Sequence, residues 1–223
     1  MNDLATQAIS VLAALVLLIA FGLLAQRRML GLLRLYALQG VVLAGAAGLV
    51  GYVSGSHELY LSALLTLLLK GIVLPAWLWR IIVRLHVERE VETLVNIPAT
   101  LLIGTGLVIF SYFVAAPVSE LSTLVTRNTL AIALSGVLLG MLMMITRKKA
   151  ITQVIGFLAM ENALFFAATA ATYGMPMIVE LGVAFDVLMA AIIFGIFFFQ
   201  ISTTFESLDL DKLTHLREEG DSE

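Results

Sequence analysis

No cysteine occurs in the 223 residues. The chain therefore has no disulfide, no thiolate nucleophile and no thiolate ligand for an iron–sulfur cluster. Histidine is scarce as well. His57, His86 and His215 are widely separated, and no His/Glu spacing resembles a metal or haem site. Charged residues make up only 13% of the chain, against about a quarter in soluble domains. A net charge of −3 without a groove-like basic cluster excludes a nucleic-acid partner. What fills the chain instead is apolar: 61% of residues, gathered in long runs, which defines an integral membrane protein.

Seven runs, at about 4–26, 35–55, 58–83, 97–116, 129–146, 151–173 and 175–201, each reach the roughly 18 residues needed to cross a bilayer. The expected fold is an all-α integral membrane protein with seven transmembrane helices. The first run lacks the cationic flank and small-residue cleavage site of a signal peptide, so it is expected to be retained. Of thirteen Lys and Arg, eleven fall on one side of this arrangement: Arg27, Arg28, Arg34, Arg80, Arg84, Arg89, Arg147, Lys148, Lys149, Lys212 and Arg217. The positive-inside rule then places the N-terminus outside and the C-terminus in the cytoplasm. A bacterial or archaeal cytoplasmic (inner) membrane is the expected location.

The stretch from Thr146 to Asn162 carries the chemistry. Three cations, Arg147, Lys148 and Lys149, sit at a membrane edge, and Glu161 follows on the next helix, roughly 15 Å deep at 1.5 Å per residue. Lys70 in the third run and Asp186 in the seventh fall at nearly the same depth. Ionisable residues there are costly and by default indicate an ion or proton pathway. One acid paired with Lys70 would also serve as a purely structural ion pair, but two acids against one cation leave a carboxyl to be protonated, hydrated or paired elsewhere. Glu161, Lys70 and Asp186 are thus the candidate proton path. Glu180, close to the outer edge of the seventh run, is a secondary candidate. So are Gln39 and Asn162, whose amides hold water or carboxylates in place, or simply bond helices together.

Other features are blander. Asn96 and Pro98 suit a helix start, and the charged stretch 84–96 before them reads as either a docking segment or a solvated connector. Gly51-x-x-x-Gly55 and Gly136-x-x-x-Gly140 suit close helix packing. Pro75 removes a hydrogen bond to the carbonyl of Gly71, where a kink is expected. Phe194, Phe197, Phe198 and Phe199 read as a lipid- or partner-facing surface. Gln39 followed by Lys70, and Glu161 followed by Asp186, hint at a parallel internal repeat.

Four stretches, Leu35-Tyr-Ala-Leu-Gln39, Lys70-Gly-Ile-Val-Leu-Pro75, Ile155-Gly-Phe-Leu-Ala-Met-Glu-Asn162 and Glu180-Leu-Gly-Val-Ala-Phe-Asp186, resemble component E of hydrogenase-4 in order and spacing. That is a membrane subunit of complex-I-like, energy-converting nickel–iron hydrogenases. Residues 129–217 separately resemble the small K subunit of NADH:quinone oxidoreductase and its counterpart, component C, in the Mrp-type cation/proton antiporters. The matching pieces are Arg147-Lys-Lys149, Ile155-Gly156, Asn162-Ala163 and the tail from Leu208 to Arg217. In the K subunit the middle-helix acid stands about one turn earlier, at the place of Leu158, so Glu161 would replace it from another face.

The resemblance implies a non-catalytic membrane-arm subunit without a redox centre of its own. It implies no cofactor in this chain, with the nickel–iron centre and iron–sulfur clusters in partner subunits. The implied partners are antiporter-like and subunit-H-like membrane subunits, peripheral hydrogenase subunits and the lipid bilayer. The expected organisation is a three-helix segment with its cytoplasmic connector (1–96), a fourth helix and outer loop (97–128), a subunit-K-like three-helix segment (129–204) and a cytoplasmic tail (205–223). Membership of a cation/proton antiporter assembly and a purely structural anchor are the alternatives.

Overall fold

The computed structural model describes residues 2–55, 57–84, 91–117 and 124–172. The chain divides into two units, Met1–Val183 and Ala184–Glu223, and all described residues lie in the first. The expected seventh span (175–201), with Glu180, Asp186, the Phe194–Phe199 cluster and the tail, lies outside the described residues.

Those residues are helical except at turns: α1 (Asn2–Ala25), α2 (Met29–Ser54), α3 (His57–Thr66), a π-helical segment (Leu67–Val73), α4 (Leu74–Arg84), α5 (Ile97–Ala115), α6 (Leu124–Thr146) and α7 (Ala150–Thr172). Six stretches are long and apolar enough to cross a membrane; α3, the π-segment and α4 together make one of them, Leu59–Val83. Helices are the natural outcome, since every backbone polar group must be satisfied within the segment where no water is available. The second helix starts at Met29, earlier than the apolar run at 35. Arg34 interrupts the run but not the helix, because its side chain is exposed while Met29, Leu32 and Leu33 around it are buried.

Helices α1, α2, α7 and α6 form a ring, each packed on the next, with α6 closing back onto α1. The third span packs outside this ring on α2, and α5 packs outside on α6 and α1. All four ring helices contribute to the central apolar cluster: Ala13 from α1, Leu43, Ala46 and Ala47 from α2, Ile132 and Ala133 from α6, Phe165 and Phe166 from α7. Half of these are alanines, which let the helices approach closely, and Leu43, Ile132, Phe165 and Phe166 fill the remaining space.

Glycine makes the closest approach possible between α6 and α7. A Cβ at Gly136 would come within 2.7 Å of Ala163 Cβ, and one at Gly140 within 2.7 Å of Met160 Cβ and 2.9 Å of the Gly156 carbonyl oxygen. The Gly136/Gly140 pattern is thus a packing face. Gly55 works differently: it ends α2 in the left-handed conformation (φ 67°), its N–H bonded to the Gly51 carbonyl, with nothing for a Cβ to touch.

Both helix-turn ends near Arg27 and Arg147 are tied together by residues 91–96. Val91 N–H donates to the Arg27 carbonyl (2.9 Å), Leu94 N–H to the Thr146 carbonyl (2.8 Å), and Lys148 N–H to the Glu92 carbonyl (3.3 Å). This part of the connector is therefore docked backbone rather than solvated loop. It leads into α5 as the sequence indicates: Asn96 Oδ1 accepts from Ala99 N–H at 3.0 Å, and Pro98 lies in the first turn.

Candidate functional site

The third span is built around a local break. Pro75 cannot donate to the carbonyl four residues back, and its ring crowds that carbonyl. The expected kink at Gly71 takes the form of a seven-residue π-helix, Leu67–Val73, in which the Leu74 N–H reaches the Leu69 carbonyl five residues back. Such widened turns recur at functional sites. Here the turn carries Lys70, which is completely buried.

Burial is achieved by α2 and α7. Gly40 of α2 lies directly against the Lys70 backbone. From α7, Glu161 reaches Lys70, Nζ to Oε1 at 2.8 Å, with the two side chains 0% and 6% exposed. One turn further along α7, the Phe165 ring has its centroid 5.3 Å from Nζ, within cation–π range. Asn162 and Gln39, the neighbours of Glu161 and Gly40, form a second buried contact, Nδ2 to Oε1 at 3.3 Å. Of the six residues singled out from the sequence, the structure gathers four at the α2, π-segment and α7 junction: Lys70, Glu161, Gln39 and Asn162. Asp186 and Glu180 lie outside the described residues. Leu158, one turn before Glu161, is fully buried on α7.

Four site features were not recognised in the sequence. Phe165 was hidden among many aromatic residues, although its position four after Glu161 places both on one helix face. Gly40 lay beside Gln39, but a single glycine in an apolar helix carries no signal of its own. Ser62, buried on α3 eight residues before Lys70, was equally silent, because small hydroxyl residues are common in membrane helices. Arg147 is the clearest correction. Counted among the cations at the membrane edge, it is only 1% exposed. Its Nη2 donates to three carbonyls at the end of α1: Leu23 at 3.0 Å, Leu24 at 2.8 Å and Gln26 at 3.2 Å. These are carbonyls that a helix end leaves unsatisfied, and the cation also meets the negative pole of the helix dipole. Burial lowers the guanidinium's pKa from its ordinary value, and the three acceptors offset part of that desolvation. Lys148, by contrast, is exposed, and Lys149 makes a partly exposed contact to Glu92 at 3.4 Å, of a kind that contributes little.

Chemically the junction is an acid and a cation in direct contact at a buried site, flanked by two amides and an aromatic face. Among the described residues, no group of three or more His, Asp or Glu could hold a metal ion.

Fold and site together define a polytopic helical membrane protein with a paired charge at mid-span. Its relatives narrow that class. Over 194 residues, 86% of this chain and 88% of the relative, it is 36% identical to uncharacterized protein Rv0085 of Mycobacterium tuberculosis, and it belongs to the same family. It is more distantly homologous, 25% identical over 190 residues, to hydrogenase-4 component E of Escherichia coli and of Shigella flexneri, covering 82% of this chain and 84% of theirs. No protein-family model and no solved structure matches the chain.

Proposed function

We propose that the protein is a non-catalytic membrane-arm subunit of a complex-I-like, energy-converting hydrogenase assembly, and that Lys70 and Glu161, with Asp186, belong to its proton-translocation path. The observation that carries this reading is the Lys70–Glu161 contact, buried in the middle of two spans of a chain homologous to a hydrogenase component over most of its length. Charge buried at that depth is retained at a cost of several kcal/mol per ion, which function explains more readily than packing. The path runs laterally at this depth, handing protons to flanking membrane subunits. The N-terminus lies outside and the C-terminal tail in the cytoplasm, where it packs against a neighbour.

Nickel–iron centres and iron–sulfur clusters require thiolate ligands. With no cysteine in the chain, its residues do not fit such groups, and on this reading the partner subunits hold them.

Glu161→Gln tests the proposal, because it keeps shape and most hydrogen bonds while removing titration. Reconstituted into vesicles, the assembled complex should move fewer protons per electron. Unchanged assembly and an unchanged proton-to-electron ratio would make the pair structural. Mass spectrometry of the gently solubilised complex identifies the partners.

A further inference from the structure

We propose that Ser62, Gln39 and Asn162 hold internal water, and that with Thr66 they form a polar branch leading from the Lys70–Glu161 pair toward the end of the bundle opposite Arg27 and Lys148. The branch gives the pair a side. As a transport route it rests on the proton-path reading; as a hydrated site it does not.

Buried hydroxyls in these helices have a default partner. Thr100, Ser111, Ser135 and Thr146 each donate to the carbonyl four residues back, at 2.8 to 3.1 Å. Ser62 does not: its Oγ is buried with no hydrogen-bond partner, although the residue is only 2% exposed. A buried hydroxyl in that state is destabilising unless water meets it. Eight residues along the same span stands Lys70, with the buried Thr66 midway. These three lie on one helix face at successive turns.

The amides beside the pair have the same need. Gln39 Nε2 is an unmet donor and Asn162 Oδ1 an unmet acceptor, in side chains already bonded to each other. Exchanging O and N in both amides preserves that balance. A water molecule that accepts from one and donates to the other satisfies both, which a second protein donor or acceptor alone would not.

In the opposite direction the buried face of the third span itself is apolar. Beyond Lys70 the buried face of the span continues as Leu74, Leu78, Ile81 and Ile82. Outward from Ser62, the branch meets a cluster of Ile9, Val50 and Leu59, an apolar stopper between it and the bundle end. Along the third span, the buried polar side chains next to the pair therefore lie on the side away from the cationic turns.

The chain's lack of cysteine supplies the test. Ser62→Cys and Ala47→Cys, the second in the central apolar cluster, are placed separately in the native complex. Membranes are treated with methyl methanethiosulfonate, a small neutral reagent that crosses lipid and reacts with thiolate, and added mass on this chain is followed in time. A thiol with access to water ionises more readily than one in apolar surroundings, so Ser62→Cys should react at least about tenfold faster than Ala47→Cys. Equal or slower reaction overturns the branch. Fast labelling with unchanged pumping in Glu161→Gln keeps the branch and rejects the proton path; slow labelling with reduced pumping does the reverse. Ser62→Ala in the assembled complex should lower pumping if the branch carries protons, and unchanged pumping overturns that role.

Discussion

Gly40 and Lys70 meet backbone to backbone: a Cβ on Gly40 would stand 2.8 Å from the carbonyl carbon and 2.9 Å from the carbonyl oxygen of Lys70. Neither atom belongs to a flexible side-chain end that can swing away. Gly40→Ala should therefore displace the π-segment and cost about 1–3 kcal/mol, as overpacking does. Gly45→Ala, on the same helix with nothing within 4 Å of its Cβ, should be neutral or stabilise by about 0.5–1 kcal/mol through helix propensity. Thermal unfolding of the two variants in detergent checks this; equal effects would contradict the close approach.

Lys70→Met strands the Glu161 carboxylate in the bundle and should destabilise by about 3–5 kcal/mol. Adding Glu161→Gln removes the stranded charge, so the double variant should regain most of the assembled yield lost by Lys70→Met alone. A double variant no better than the single one would show that the two residues do not depend on each other.

Arg147→Lys keeps the positive charge but replaces a planar, multi-donor group with a compact ammonium on a different stem. If three carbonyls of the α1 terminus depend on Nη2, the variant should lose about 1.5–3 kcal/mol. Lys148→Arg, at an exposed site, should change stability by less than about 0.5 kcal/mol. Chemical denaturation of both variants separates buried capping from a simple requirement for positive charge at this turn.

Fusion reporters after Glu223 and within 117–128 should report opposite compartments, with the C-terminal reporter cytoplasmic. The expected seven-span topology, with three spans between the two points, requires that result. Finding both in one compartment would exclude the seven-span topology.

Much of the site was readable because depth in a membrane is nearly a count of residues. Lys70 and Glu161 were placed at one level from helix rise alone, and they form the contact that level permits. Asn96 and Pro98, and the Gly136/Gly140 face, were likewise readable, since capping and close packing each need particular residue types. What escaped depends on neighbours remote in sequence. Hydropathy treats Arg147 as one more edge cation, because nothing within several residues of it reveals three carbonyls from α1. Val91 and Leu94 look like connector residues until the backbone they bond to is known. Pro75 announces a disturbance in the helix, yet its form, a π-helix whose Lys70 backbone lies against Gly40 of α2, depends on a neighbour that the local sequence does not reveal. The chemistry of Asp186 and Glu180 stays with the proposal.

The α1 terminus also imposes an order on synthesis. Leu23 and Arg147 are 124 residues apart, and at 5–20 residues per second translation needs roughly 6–25 s to cover that distance. The first helix must therefore wait, its last carbonyls served by water or lipid headgroups, while four further spans enter the bilayer. Only when Arg147 emerges is that end sealed, so a ribosome stalled before residue 147 leaves a nascent chain whose earliest helix is inserted but not yet fastened.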